Sequence, residues 1–239
     1  MLKLATVALV AVAATLGFTR LPPAARPHAA AGPASVPLEF SRIYWEYNAS
    51  ANDLGVHVTL DGEDWTTLKI KNPNNQVLFN VRGKGPYAKL GMTELFFEGA
   101  EPALDEFPLE QLLALFPEGT YDFDGVTVDG ELIEGEWDFT HAIPDGPEVS
   151  SVIAGDFLRI DWQPVDSPPP GFPDRPIVIT GYQVIVGGED FQITVPPSVH
   201  SITVPHEYVA TLAPGPHPFE VLAIEASANQ TLTEGSFVK

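Results

Sequence analysis

The chain offers many carboxylates and a few imidazoles for chemistry, but no thiol. It carries 32 Asp and Glu, six His and no Cys, so thiolate nucleophiles, thiolate metal sites and disulfides are excluded. Nucleophilic catalysis by Ser needs a base and an oxyanion donor arranged around the hydroxyl, and no G-x-S-x-G occurs while the histidines are scattered. His200 and His206 flank one expected strand, without the close spacing and third ligand that a metal centre uses. Carboxylate pairs for sugar hydrolysis come from distant strands, so spacing does not identify them. Glu94 and Glu98 share one face of the run Thr93 to Glu98, which suits a site and a solvated edge equally.

Hard cations take oxygen ligands from clustered Asp, Asn and backbone carbonyls, so calcium is the alternative these residues support to the expectation of no cofactor. One cluster comprises Asn48, Asn52 and Asp53 together with Asp61, Glu63 and Asp64; a second comprises Asp122, Asp124 and Asp129. Neither fits the D-x-[DN]-x-[DN]-G-x₅-E loop, and turn aspartates also serve the backbone. Sugar binding would instead use exposed aromatic rings. Tyr44, Trp45, Tyr47, Trp65, Tyr87 and Trp137 concentrate in the first half; most fall on the apolar side of alternating strands, leaving Tyr44 and Tyr87 as the ligand candidates expected to face solvent.

The formal net charge is −20. Nucleic acid is a poor partner for such a chain, because binding it requires Lys and Arg against the phosphates, and an anionic membrane repels it for the same reason. Lys3 followed by the apolar run Leu4 to Phe18, with Ala29 and Ala31 before Gly32, predicts a removable signal peptide over 1–31. Lys3, Arg20 and Arg26 would leave with it, making the remainder more acidic still. The apolar run is shorter than the roughly 20 residues of a membrane span, and no later segment is longer. A secreted or periplasmic protein is expected, and the lack of Cys suits a bacterial one. Asn48-Ala-Ser50 and Asn229-Gln-Thr231 match the N-glycosylation pattern.

The elements that would position these residues are strands. Ile43, Trp45 and Tyr47 alternate with Arg42, Tyr44 and Glu46. Val56, Val58 and Leu60 lead to Asp61-Gly62, read as a hairpin turn before Trp65, Leu68 and Ile70. Asn72-Pro73-Asn74-Asn75 closes the next hairpin onto Val77, Phe79 and Val81, and Asp129-Gly130 joins Tyr121, Phe123 and Val126 to Leu132, Trp137 and Phe139. One short helix is predicted after Pro108, with Leu109, Leu112, Leu113 and Phe116 on one stripe and Pro117 as its stop. Pro144-Asp145-Gly146-Pro147 reads as a linker. Seven short strands follow, the rhythm of an immunoglobulin-like sandwich.

Three stretches there carry a family likeness: Leu158-Arg159-Ile160-Asp161-Trp162, Ile179-Thr180-Gly181-Tyr182-Gln183-Val184, and Leu212-Ala213-Pro214-Gly215 followed by Phe219-Glu220-Val221-Leu222-Ala223. On these, residues 147–239 resemble a fibronectin type III domain. The resemblance implies core-packing roles for Trp162, Tyr182 and Leu212. It departs at the corner, where the family places a tyrosine and this chain has His217, Pro218 and Phe219, so the hydroxyl that ties the corner to the backbone is missing or replaced. No Arg-Gly-Asp occurs, and cell attachment through that motif does not carry over.

The expected fold is therefore all-β, two tandem β-sandwich (immunoglobulin-like) domains at 36–144 and 147–239, the first with one inserted helix. The expected function is a non-catalytic exported module that binds a protein or glycan partner. A hydrolase or glycan-enzyme accessory domain, and a structural subunit assembling through edge strands, are the competing readings.

Overall fold

The computed structural model describes residues 35–188 and 190–239; the expected signal peptide lies outside them. The chain is an all-β protein, 54% strand and 7% helix, with sandwich-like sheets. Its first half contains β1 (Ser35–Pro37), β2 (Phe40–Asn48), β3 (Asp53–Lys71), β4 (Val77–Arg82), α1 (Tyr87–Leu90), β5 (Met92–Glu98), α2 (Leu109–Leu115), β6 (Gly119–Thr127) and β7 (Leu132–Phe139). Its second half contains β8 (Val149–Ala154), β9 (Phe157–Trp162), β10 (Ile179–Val186), β11 (Phe191–Val195), β12 (Ser201–Val204), α3 (His206–Val209), β13 (Pro216–Glu225) and β14 (Gln230–Val238). The predicted helix is α2, set off by Pro108; α1 and α3 are single turns that the sequence reading did not anticipate.

The long β3 organises the first half. It pairs antiparallel with β2 and then β6 along one edge, and with β5 and then β4 along the other. β1 pairs parallel with β7 and Leu38 donates its amide to Glu134 at 3.0 Å, so the segment that begins beside β7 continues as β2 beside β3. Trp45, Trp65, Tyr121, Phe123 and Phe139 fill the enclosed core.

The expected turn at Asp61-Gly62 does not exist. β3 runs straight through it, and Gly62 is absent from the glycines with positive φ, whereas Gly130 of the genuine Asp129-Gly130 turn has φ 85°. Gly62 is needed for space instead. A Cβ there would lie 2.8 Å from Leu38 Cδ2, and one on Gly135 of β7 would lie 2.8 Å from Leu38 Cδ1. Leu38 thus sits between two strands in space that Gly62 and Gly135 leave open.

In the second half, β8, β9 and β12 form a three-stranded sheet, and β14, β13, β10 and β11 continue the large one. Trp162 and Tyr182 are buried between them, ring centroids 5.5 Å apart, and Leu212 packs against the same cluster. At the corner, His217 Nε2 lies 2.7 Å from the Ala213 carbonyl oxygen, so an imidazole makes the tie to the backbone. Parallel pairing of β14 with β2, Gln230 opposite Glu46, joins the two parts of the large sheet. Asn229 is fully buried at this seam, its amide committed to backbone partners, which leaves that glycosylation pattern without an exposed acceptor.

Candidate functional site

The unbroken course of β3 separates the first predicted cation cluster. Asn52 and Asp53 lie at the β2–β3 turn, where Asn52 (φ 57°) accepts the Tyr47 hydroxyl at 3.1 Å. Asp61, Glu63 and Asp64 begin eight residues farther along the strand, roughly 26 Å away at the usual strand rise. Burial, and then the charges of Glu101 and Glu234, raise the Asp53 carboxyl. Asp122 and Asp124 lie on β6 opposite Lys71 and Lys69, with Asp124 in an ion pair with Lys71. Asp129 is exposed in its turn. Of the two tyrosines, Tyr87 is exposed on α1. Tyr44 is half-buried on β2, its hydroxyl pushed up to about 12 by burial first and the Glu46 charge second.

Tyr44 belongs to a constellation that the sequence reading missed. Next to it on β3 is His57, buried although it lies on the side of the strand read as polar. Its Nε2 is 2.9 Å from Glu101 Oε1 and its Nδ1 is 3.8 Å from Glu46 Oε2. Gln230 of β14 donates its side-chain amide to the same Glu46 oxygen. Glu101 reaches the imidazole by lying over Gly55, where a Cβ would collide with the Glu101 side chain. Rings of Tyr44 and Phe96 flank the imidazole, with centroids at 5.4 and 6.1 Å. Burial raises the Glu46 carboxyl; His57 and the Gln230 hydrogen bond oppose this, and Glu101 and Glu98 add to it.

Glu46, His57 and Glu101 place ligand-type atoms within 4.8 Å of one another. A single ion, however, could take only one ring nitrogen, and the two carboxylates face different nitrogens. The geometry is that of a clamp: His57 Nε2 is within hydrogen-bond distance of Glu101, and Nδ1 is turned toward Glu46. The signals in the sequence were a lone glycine inside a strand, which marks close approach, and a histidine in register with tyrosine. Their partners Glu101 and Gln230 come from a loop and from the far end of the chain, where spacing carries no information.

Beyond the clamp, the same face continues as an ordered surface. Its cross-strand rows on β2, β3 and β5 are Tyr44–His57–Glu98, Arg42–Thr59–Phe96 and Phe40–Asp61–Glu94. A shallow groove of about 530 Å³ runs over Phe40, Thr59, Asp61, Glu94 and Phe96. Phe96 is 58% exposed. The Arg42 guanidinium lies 4.3 Å from the Phe40 ring centroid and 5.5 Å from that of Trp137. Asp61 and Glu94 are directly opposed like charges, an unfavourable pairing, and neither is in an ion pair among the described residues.

No protein-family model matches the chain, and no curated protein matches it. Similar solved structures include the fibronectin(III)-like modules of Clostridium thermocellum CbhA, at 15% identity and TM-score 0.30 over 84% of this chain and 93% of that one. A Ca2+-stabilized adhesin of an Antarctic bacterium is 13% identical, with TM-score 0.28 over 84% of this chain and 49% of the other. The Clostridium perfringens spore cortex lytic enzyme SleM is 15% identical, with TM-score 0.33 over 40% of this chain and only 28% of that enzyme.

The face offers aromatic rings for stacking, carboxylates and a hydroxyl for polar contacts, and an open groove. Among the described residues, the ring nitrogens of His57 face carboxylates and no hydroxyl nucleophile.

Proposed function

We propose that the protein is an exported, non-catalytic binding module whose ligand surface is the groove across β2, β3 and β5. In this reading residues 36–144 form the binding domain and the fibronectin type III-like residues 147–239 serve as its spacer. The observation that carries it is the pairing of exposed Phe96 with Phe40, Thr59 and the unpaired Asp61 and Glu94 around one open groove. Sugar rings present C–H faces that stack on aromatics and hydroxyls that donate to carboxylates, so a neutral glycan fits this lining. The imidazole clamp beneath holds Tyr44 and Phe96 in place. Affinity electrophoresis against a panel of neutral polysaccharides tests the proposal. Retardation by at least one, lost in Phe96→Ala with the circular dichroism spectrum unchanged, is expected. No retardation by any, or an unaffected variant, overturns it.

A second reading, calcium-assisted binding, is favoured by the opposed Asp61 and Glu94 carboxylates, because a divalent cation would relieve their repulsion. Calcium should then raise the melting temperature of the native protein but not of Asp61→Asn; equal responses reject that reading.

A further inference from the structure

Several cations among the described residues are engaged internally. Lys71, Arg159, Arg175 and Lys239 each meet a carboxylate, and Arg42 lies against aromatic rings. Arg82, Lys84 and Lys89 are different: all three are exposed, and none is in an ion pair among the described residues. They flank or lie on α1 in sequence, where Tyr87 is 60% and Leu90 73% exposed. Three residues apart on one turn, these two apolar side chains share a face.

This knob is built rigidly. Gly83 is buried beneath it, donates its amide to Thr66 at 2.8 Å, and leaves no room for a Cβ, which would lie 2.9 Å from the Tyr87 carbonyl oxygen. Lys89 and Leu90 amides both return to Pro86 at 2.9 Å. Gly91 closes the turn at φ 74° against Asp64. A turn that shows Tyr87 and Leu90 to solvent, flanked in sequence by exposed cations, presents an aromatic and an apolar side chain of the kind an interface core buries.

Its complement lies on the same chain. A groove of about 340 Å³ between α2 and the loop at Gly171 is lined by Leu109, Leu113, Phe172 and Pro173 with Glu110 at its rim. Glu106 and Asp174, exposed neighbours in sequence, extend the acidic edge, and Arg175 beside them is held by Glu118. Within one molecule, knob and groove lie toward opposite ends of β3, Phe172 of the groove packing on Tyr47, which pairs with Leu54. The knob abuts β3 at Asp64 and Thr66, whereas the segment leading to α2 leaves from the other end, where Leu104 donates to Asn52 at 2.8 Å. About 13 residues of strand separate these points, roughly 40 Å.

We propose that the α1 knob of one molecule docks in the α2 groove of a second copy, joining molecules head to tail. Basic charge around two apolar side chains meets acidic charge around an apolar floor, and different patches meet, so the contact is heterologous and extends into chains. Two anchoring side chains make a small interface, and the association is weak. Proximity on a surface would strengthen it.

Sedimentation of the purified protein at about 0.15 M ionic strength, from about 10 μM to about 1 mM, reads it directly. Average mass should climb above the monomer with concentration. The double variant Lys84→Glu with Lys89→Glu should stay monomeric, as should Glu110→Lys with Asp174→Lys, and mixing the two should restore association because their charges are exchanged. All four sites are exposed, and circular dichroism checks that the variants fold. A monomer at every concentration, association indifferent to either variant, or failure of the mixture overturns the proposal. So does retention of the monomeric wild type, but not the knob variant, on a polyuronate resin, which assigns the knob to an acidic polymer instead.

Discussion

The side chain of Asn229 accepts the backbone amide of Trp45 at 2.9 Å, across 184 residues of sequence. Its amide nitrogen donates onward to the carbonyls of Thr140 and Ala142 at 2.9 and 3.1 Å. One buried residue in the turn before β14 thus satisfies backbone groups from β2 and from the segment after β7, where the two parts of the large sheet meet. Asn229→Ala should leave a buried N–H and two carbonyls short of a partner and cost about 2–4 kcal/mol, read as a fall in the denaturation midpoint. Asn229→Asp should restore little of this, because a carboxylate accepts from Trp45 but cannot donate to the carbonyls. If Asp rescues fully, the donor half of the arrangement is unimportant.

Glu46 makes stability depend on pH in a defined direction. Burial raises its carboxyl above the ordinary 4.5, so between that value and its folded value the native chain holds a proton that the unfolded chain has released. The associated stability is fully present below the ordinary carboxylate range and is lost as pH rises through the raised value. Glu46→Gln removes that ionisation while keeping an acceptor for Gln230. The stability of the wild type relative to the variant should therefore decline as pH is raised from about 4; a difference that does not change with pH contradicts the assignment.

Glu118 acts in the opposite sense. The Arg175 hydrogen bond, ahead of its other neighbours, lowers its carboxyl, so its contribution is present above the ordinary range and is lost as pH falls through the lowered value. Both side chains are partly exposed, and solvent screening keeps the effect small. Arg175→Gln should lose that small increment at neutral pH, with the loss shrinking in acid and in high salt. An undiminished loss in strong acid would mean that Arg175 stabilises by packing.

How much of this was legible in the sequence follows from how far each signal reaches. Alternation placed Ile43, Trp45 and Tyr47 in the core because a strand turns its side chains by a local rule. Pro108 and the Leu109–Leu112–Leu113 stripe located α2 in the same way. The clamp was invisible because it is assembled by register and by loop passage: β2 against β3 brings Glu46 near His57, and Glu101 and Gln230 arrive from elsewhere. The calcium reading grouped Asn52 with Asp61, which the strand between them holds apart. Tyr87 was read as solvent-facing, but its setting on a helical turn among free cations depends on the crossing between β4 and β5.

Two Asp-Gly pairs show the limit most directly, and the second supplies a test. Asp129-Gly130 turns because Gly130 adopts positive φ, whereas Asp61-Gly62 continues a strand because Leu38 needs the volume that a Cβ would occupy. The same dipeptide therefore answers two demands, one conformational and one steric, and alternation on both sides does not distinguish them. Gly62→Ala should overpack the Leu38 socket and destabilise by about 1–3 kcal/mol. Leu38→Ala alone should also destabilise, by leaving the socket empty. If the glycine serves Leu38, the double variant should be less destabilised than the sum of the two singles, because the new methyl occupies space that Leu38 has vacated. Strict additivity in denaturant unfolding would show that Gly62 is required by the backbone rather than by Leu38.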